Sequence, residues 1–331
     1  MASEITVCVA GCGGLGRREA QIVAGMEGVR LLGVCDVNQD SAESLAAELG
    51  GGVRAFGGHE EMLTAAAPDA VLVVTPTFTH RQVTVDALQA GAHVFCEKPM
   101  AISLAECDAM LAAAEREHRT LAIGYVRRFM PNYREMKRRV EAGDLGAVRL
   151  VQSVRMGGRP PIGVGSWRLE ASKVGGLHSA YVHELDQMLW LGGPVSAVRA
   201  VANYGTFADT DVEDSIWMAL EFVNGAVGAL GASQVYPVGW YELGVGGTLG
   251  AMSIRRGTTE LTLRAHGGEA ETVTLESNDP FAEELGAFFD SLRGAGEPPA
   301  SGVDGRETLA VVEAAFRAAR TGETVRLPPE A

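Results

Sequence analysis

Long hydrophobic runs and basic charge are scarce in this sequence of 331 residues. No apolar stretch approaches the roughly 18 residues that a membrane-spanning helix needs, so we expect no membrane partner. Acidic side chains outnumber basic ones by 42 to 28, which gives a formal net charge of −14. Because phosphate backbones and anionic lipids repel such a chain, we expect no nucleic-acid partner either.

Cysteines are also few, and their spacing suits neither a metal site nor a disulfide framework. The five cysteines form no Cys-x-x-Cys pair and no Cys/His ligand pattern. Cys8, Cys35 and Cys96 lie in or beside apolar strand-like runs, where a free cysteine behaves as a small hydrophobe. The opening residues carry no basic segment and are interpreted as a strand rather than a signal peptide. We therefore predict no metal and a reducing, cytoplasmic location.

The balance of 47% hydrophobic and 21% charged residues is typical of a folded globular protein, and the length predicts two domains. In the first 123 residues, short apolar strands alternate with helical patterns, which predicts a parallel sheet covered on both faces. After Ile123, strand-like runs follow one another with few helices between them, and turns such as Asn224-Gly225 indicate an antiparallel or mixed sheet. The predicted domains are therefore residues 1–123 and 124–331, in an α/β fold.

A glycine-rich loop lies between the first predicted strand and the first predicted helix. Gly11, Gly13 and Gly16 fit the pattern G-x-G-x-x-G, with Gly14 and Leu15 between them. The three glycines permit a tight turn, a close approach of pyrophosphate, and close packing of helix on strand. Asp36 ends the next strand, about 20 residues after the last glycine, where a carboxylate binds the ribose hydroxyls of NAD. A structural turn with a capping aspartate is the alternative.

Two more polar clusters follow apolar strands, at the sheet edge where open α/β folds bind ligands. The first is the stretch from Thr75-Pro76 to His80, which a capped turn with Thr79 as the cap would also explain. The second is Glu97-Lys98-Pro99. A lysine ammonium there can orient a hydroxyl group, and burial would lower its pKa towards the range of proton transfer. An exposed turn lysine is the alternative.

Taken together, these motifs resemble the glucose–fructose oxidoreductase, inositol dehydrogenase and rhizopine-catabolism (Gfo/Idh/MocA) family, most closely its inositol dehydrogenase branch. The resemblance spans nearly the whole chain, and Glu97-Lys98-Pro99 is its most diagnostic part. It implies an N-terminal Rossmann domain and a C-terminal α/β domain with a large open, mostly antiparallel sheet that often mediates dimer or tetramer contacts. It also implies a Lys98–Pro99 peptide that is often cis, and binding of NAD, or of NADP if Arg17 and Arg18 receive a phosphate.

The resemblance further implies which residues act. His183 matches the family's catalytic-site histidine, and Lys98 its catalytic lysine. Asp186, one turn after His183, would orient it or cap the helix. The cofactor would contact Gly11, Gly13, Gly14, Leu15 and Gly16 of the glycine loop. It would also contact Asp36, Thr75, Pro76, His80, Glu97 and Lys98. The candidates for the substrate wall are Tyr125, Arg127, Trp167, Arg168, Ser179, Tyr181 and His183.

The sequence departs from the branch at three positions, one of which is Tyr181, where the residue two before the histidine is often Gly. Ser179 stands where inositol dehydrogenases usually have an Asp, and Met130 stands where an Asp often follows Arg-Arg-Phe. These departures leave three interpretations of the protein's function open. The first is a homo-oligomeric NAD(P)-dependent dehydrogenase that interconverts a ring hydroxyl and a ketone on a cyclitol or sugar. The others are a biosynthetic reductase of a keto sugar, imine or enone, and a cofactor-binding protein without turnover.

Overall fold

The computed structural model describes residues 4–163, 165–175, 181–255 and 257–328. They form two compact units: unit 1 contains Met1–Val126 and Asp279–Arg306, and unit 2 contains Arg127–Asn278 and Glu307–Ala331. The helices are α1 (Gly14–Ala24), α2 (Gln39–Leu49), α3 (His59–Ala66), α4 (Thr77–Gln89), α5 (Leu104–Arg116), α6 (Pro131–Glu141), α7 (Ala171–Val174), α8 (Val182–Gly192), α9 (Pro280–Leu292) and α10 (Gly302–Thr321).

Strands form one sheet in each unit. In chain order they are β1 (Ile5–Ala10), β2 (Val29–Cys35), β3 (Arg54–Phe56), β4 (Ala70–Val73), β5 (His93–Glu97), β6 (Leu121–Gly124), β7 (Val148–Gly158), β8 (Val195–Asn203), β9 (Ser215–Phe222), β10 (Val227–Ser233), β11 (Val235–Gly247), β12 (Gly250–Arg255), β13 (Glu260–Ala265), β14 (Ala270–Thr274) and β15 (Val325–Arg326). Within the described residues, no helix is long and apolar enough to cross a membrane.

Unit 1 is built on a six-stranded sheet in the order β3-β2-β1-β4-β5-β6, and every pair of neighbours is parallel. Every residue of β4 is completely buried, which explains its continuous apolar sequence. The predicted Rossmann sheet is confirmed. Asn38 caps α2 and Ser103 caps α5, each by accepting a backbone N–H bond from three residues further on.

The sequence analysis did not predict two local elements of unit 1, and the helix cap that it suggested at Thr79 is wrong. Strand β3 and helix α3 were not predicted, and the three residues of β3 are too few to show a period. Thr79 does not cap the helix that follows β4. That helix begins at Thr77 with Pro76 as its N-cap, and the Thr79 hydroxyl contacts Thr75 and the Pro76 carbonyl instead.

The late helix α9 belongs to unit 1, which differs from the contiguous division predicted at Ile123. Its Phe288 and Phe289 are buried in the same apolar cluster as Val7 and Leu72 of the parallel sheet. The ring centroids of Phe288 and Phe95 are 5.7 Å apart. The apolar face of α9 therefore completes the core of unit 1, although it lies far away in sequence.

Unit 2 is built on a nine-stranded sheet in the order β14-β13-β12-β11-β7-β10-β9-β8-β15. Strands β7 and β10 are parallel and all other described neighbours are antiparallel, which confirms the predicted mostly antiparallel sheet. Asn224-Gly225 turns the chain between β9 and β10, with Gly225 at a φ of +82°. Strand β13 was not predicted. Large apolar side chains remain exposed on this unit, among them Val201, Trp217, Val227 and Trp240.

Candidate functional site

The glycine loop of unit 1 has a shape that only glycine permits at two of its positions. Gly11 has a φ of +104°, and a Cβ atom there would lie 2.5 Å from the carbonyl oxygen of Val74. A Cβ on Gly16 would collide with the carbonyl oxygen of Gly11. Helix α1 can therefore approach the ends of β1 and β4 closely only because side chains are missing.

The same loop leaves open space where phosphate is expected. A Cβ on Gly13 or Gly14 would meet nothing within 4 Å. Gly13 is the N-cap of α1, no side chain caps that helix, and its first turn carries no acidic residue. The free N–H groups and the positive end of the helix dipole thus face an uncrowded space. These residues fit the pyrophosphate of a dinucleotide.

Asp36 lies beside this loop and is held there by backbone groups. Its Oδ2 accepts a hydrogen bond of 2.8 Å from the Cys12 N–H, and its Oδ1 accepts one of 2.9 Å from the Asn38 N–H. Arg17 is ion-paired with Glu48, and Arg18 lies 3.2 Å from Asp279 and stacks on Phe281. Because both arginines already have acidic partners, the loop fits the ribose hydroxyls of NAD better than a 2′-phosphate.

We predict that Gly16→Ala weakens NAD binding at least about tenfold. The added methyl overlaps a backbone carbonyl that cannot turn away, and such overpacking costs about 1–3 kcal/mol. Fluorescence titration with NADH measures the affinity. The matched control is Gly286→Ala in α9, where a Cβ meets nothing within 4 Å, and unchanged affinity in both variants would contradict the prediction.

His80 connects the two loops that follow β4 and β5. Its Nε2 lies 2.8 Å from the carbonyl oxygen of Thr75, and its Nδ1 lies 2.9 Å from that of Pro99. Burial lowers the pKa of His80, while its contacts with the backbone carbonyls oppose that shift. The Lys98–Pro99 peptide is cis, as expected. His80 therefore packs under the Lys98 turn, where it supports the loop rather than facing a ligand.

Glu97 and Lys98 end strand β5. Glu97 is 4% exposed, and its Oε2 accepts a hydrogen bond of 3.1 Å from the Lys98 N–H. Burial raises the pKa of Glu97, while the Lys98 ammonium opposes that rise. Lys98 itself is half-buried. The turn thus presents a lysine supported by a buried acid at the carboxyl end of a parallel strand, where such folds place their chemistry.

In unit 2, His183 lies in the first turn of α8 and is 8% exposed. The two acidic residues that follow it, Glu184 and Asp186, accept hydrogen bonds from buried arginines. Arg127 Nη1 donates to Glu184 Oε1 at 2.5 Å and to the Tyr241 hydroxyl at 2.7 Å, and Arg155 also contacts Glu184. Arg128 Nε donates to both oxygens of Asp186, at 3.0 and 3.2 Å. Asp186 therefore binds Arg128 rather than capping the helix.

The structure places the predicted substrate contacts in different surroundings. Arg127 is 8% exposed and its charge is compensated by Glu184, so it does not present a free cation to a ligand. Tyr125 and Tyr181 are 1% and 3% exposed, and burial keeps Tyr181 protonated by raising its pKa. Arg168 is exposed and stacks 4.5 Å above the Trp167 ring. Ser179 lies outside the described residues.

The described residues contain one group that could hold a metal, which the sequence analysis did not name: His59, Glu60 and Asp86. His59 Nε2 lies 2.8 Å from Asp86 Oδ2, and Gln82 donates to both Asp86 oxygens. The Asp86 oxygens are thus already bonded within the protein, and we interpret the group as a hydrogen-bonded contact between α3 and α4.

Sequence reasoning also missed the buried partners. Glu19 of α1 is 1% exposed, and Tyr133 and Tyr241 share a hydrogen bond of 2.7 Å beside Arg127. A glutamate within a helical pattern is ordinarily an exposed charge, so no signal in the sequence could have identified Glu19. The pairing of Arg127 with Glu184 also has no local signal in the sequence, because the two residues are 57 positions apart.

Comparison with known proteins supports the architecture. The oxidoreductase family GFO/IDH/MocA, NAD-binding Rossmann fold, matches residues 5–125, and the C-terminal domain of the same family matches residues 133–253. The UDP-N-acetylglucosamine 3-dehydrogenase of Acidithiobacillus ferrooxidans is 33% identical over 91% of this chain and 93% of its own.

Two further relatives extend the comparison. Inositol 2-dehydrogenase 1 of Saccharopolyspora erythraea is 30% identical over 98% of this chain and 96% of its own. The crystal structure of aldose-aldose oxidoreductase from Caulobacter crescentus, complexed with glycerol, has a TM-score of 0.87 at 28% identity, covering 98% of this chain and 100% of that one.

Proposed function

The chain belongs to the GFO/IDH/MocA oxidoreductase family, and on that basis we propose that it is an NAD-dependent dehydrogenase that interconverts a ring hydroxyl and a ketone on a cyclitol, sugar or sugar derivative. One observation carries the proposal. Unit 1 combines an uncrowded glycine loop beside Asp36 with a half-buried Lys98 at the carboxyl end of β5, in the same parallel sheet. Relatives named as dehydrogenases of inositol and of a nucleotide sugar support the substrate class.

The cofactor contacts belong to unit 1. The N–H groups of Gly13 to Gly16 bind the pyrophosphate, and Asp36 accepts the ribose hydroxyls. The Thr75-Pro76 turn and Glu97 border the rest of the cofactor, while His80 holds their loops in place. When bound there, NAD would supply hydride transfer to and from the carbinol carbon of the substrate.

The proton chemistry is assigned to Lys98 and His183. Lys98 donates a hydrogen bond to the reacting oxygen and stabilises the negative charge that develops on it. His183, as a neutral imidazole, removes the hydroxyl proton during oxidation and returns it during reduction. Trp167, Arg168, Tyr181 and Ser179 remain the proposed substrate contacts, and the buried tyrosine acts as a hydrogen-bond donor because its phenol stays protonated.

We also propose a location and an assembly. The five cysteines are free and buried, which suits the reducing cytoplasm. Trp217 is 46% exposed and Val227 55% exposed on the sheet of unit 2, and a second copy of the chain would cover them in a homodimer or homotetramer. On this assignment unit 1 binds the dinucleotide, and unit 2 binds the substrate and forms the contacts between copies.

The decisive experiment follows nicotinamide absorbance with NAD or NADP across inositols, sugars, aminosugars and nucleotide sugars, in both directions. We expect NAD-dependent turnover of at least one cyclic polyol. Normal cofactor binding without turnover of any of these compounds would instead support a cofactor-binding protein, and turnover confined to ketone reduction would support a reductase.

Asp36→Ser tests the choice of cofactor. Removing the carboxylate removes its repulsion of a 2′-phosphate, while the serine hydroxyl still accepts one backbone N–H bond. We expect the ratio of kcat/KM for NADP to that for NAD to rise at least about tenfold. Asp40→Ser, at an exposed position in the first turn of α2, is the matched control. An unchanged ratio in Asp36→Ser would show that other residues select the cofactor.

A further inference from the structure

Glu19 is a carboxyl group in an unusual place for an acid. It lies in α1, directly behind the glycine loop, and is 1% exposed. Neither of its oxygens receives a hydrogen bond from an N–H or O–H group of the described residues. An ionised carboxylate without a donor is among the most costly groups to bury.

The side chain of Glu19 faces another buried acid, Glu97. The other charged and titratable groups around Glu19 are Arg18 of its own helix, Lys98, and the Cys96 thiol on β5. Burial, together with the neighbouring Glu97 carboxylate, places the pKa of Glu19 well above its ordinary value. Two facing carboxyl groups cannot both ionise without repulsion, so one proton remains with the pair.

The surroundings decide which of the two acids keeps the proton. Glu97 accepts the Lys98 N–H and faces the Lys98 ammonium, and both favour its charged form. Glu19 has no comparable donor, so its own O–H can bond to Glu97. The geometry therefore allows a neutral Glu19 on α1 to donate to the Glu97 carboxylate at the turn that carries Lys98.

We propose that Glu19 is a positioning residue for catalysis: as a neutral acid it donates to Glu97, so that a single, oriented negative charge lies beside Lys98. The proposal rests on the role assigned above to Lys98. Helix α1 would then have a second role besides phosphate binding. The buried hydrogen bond from Glu19 to Glu97 would link this helix to the turn that carries Lys98.

Protein stability gives a test that needs no substrate. In the unfolded chain Glu19 ionises near its ordinary pKa, but in the folded chain only at higher pH. Its contribution to stability is therefore complete below the ordinary pKa and is lost as pH rises through the raised value. We expect Glu19→Gln, which cannot ionise, to melt higher than the native protein at neutral and mildly alkaline pH by at least about 2–4 °C. Glu115→Gln, at an exposed site on α5, is the matched control.

Infrared spectroscopy detects the proton directly. With glutamate labelled by carbon-13, the native protein at neutral pH should show a carbonyl band of a protonated carboxylic acid. This band should be absent in Glu19→Gln and retained in Glu115→Gln. Its absence from the native protein would overturn the proposal whether or not a substrate has been found, so this failure is distinguishable from failure of the proposed function.

The positioning role itself is tested by activity. Glu19→Leu removes the donor, and loss of a hydrogen bond to a charged group predicts a kcat about tenfold lower, with KM for NAD changed much less. Glu19→Gln restores most of that loss, because its amide N–H can replace the acid O–H. Full kcat in folded Glu19→Leu, or failure of the glutamine variant to rescue it, would overturn the role.

Discussion

Lys98→Met is expected to lower kcat by about 10²–10⁴-fold and to leave NAD affinity nearly unchanged. Methionine has a similar length and keeps the apolar contacts of the lysine stem, but it carries no N–H donor and no charge. The oxygen that gains negative charge in the transition state therefore loses its stabilising partner, whereas the pyrophosphate still binds at the glycine loop. Since the loss is confined to the transition state, kcat and kcat/KM should fall together.

The chain offers a matched control for this substitution. Lys173 of α7 is half-exposed and lies 2.8 Å from Glu170, so Lys173→Met removes a lysine charge without touching β5. Steady-state kinetics on the best substrate and titration with NADH, run on both variants, separate catalysis from cofactor binding. Undiminished turnover in Lys98→Met would exclude the proposed role of this lysine.

Asp186→Ala is expected to destabilise unit 2 by about 3–5 kcal/mol, the largest stability effect that we predict. Arg128 is 6% exposed and Asp186 1% exposed, and the guanidinium Nε donates to both carboxylate oxygens. Removing the carboxylate leaves the buried guanidinium without its bidentate partner, and water cannot reach it to compensate. Arg128 also lies 5.5 Å from the Trp190 ring centroid, so a shift of the guanidinium would disturb α8 as well.

Chemical denaturation, with tryptophan fluorescence as the signal, measures this effect. The control is Glu221→Ala on β9, whose partner Arg199 is 56% exposed and whose own side chain is 41% exposed. Exposed pairs contribute about 0–1 kcal/mol, so the control should stay near the native midpoint. A similar small loss in both variants would show that the Arg128–Asp186 pair is not a stabilising element.

Local features of the fold could be predicted from the sequence because they depend on neighbours in the chain. The apolar run of β4 requires burial on both faces, and the glycine pattern at 11–16 requires a turn that other residues cannot adopt. Strand β3 was missed for the opposite reason, since it is held by pairing with β2 and has too few residues to show a period.

What the sequence by itself determined is the alternation of strands and helices in the first domain except for β3 and α3, the mostly antiparallel second sheet, the glycine loop with Asp36, and the turn that carries Lys98. Only the tertiary structure decided that α9 completes the core of unit 1, that Glu184 and Asp186 bind Arg127 and Arg128, and that Glu19 faces Glu97. The physical reason is that backbone preferences and hydrophobic periodicity act over a few residues. The free energy of a buried charge depends instead on whichever group the completed fold brings against it.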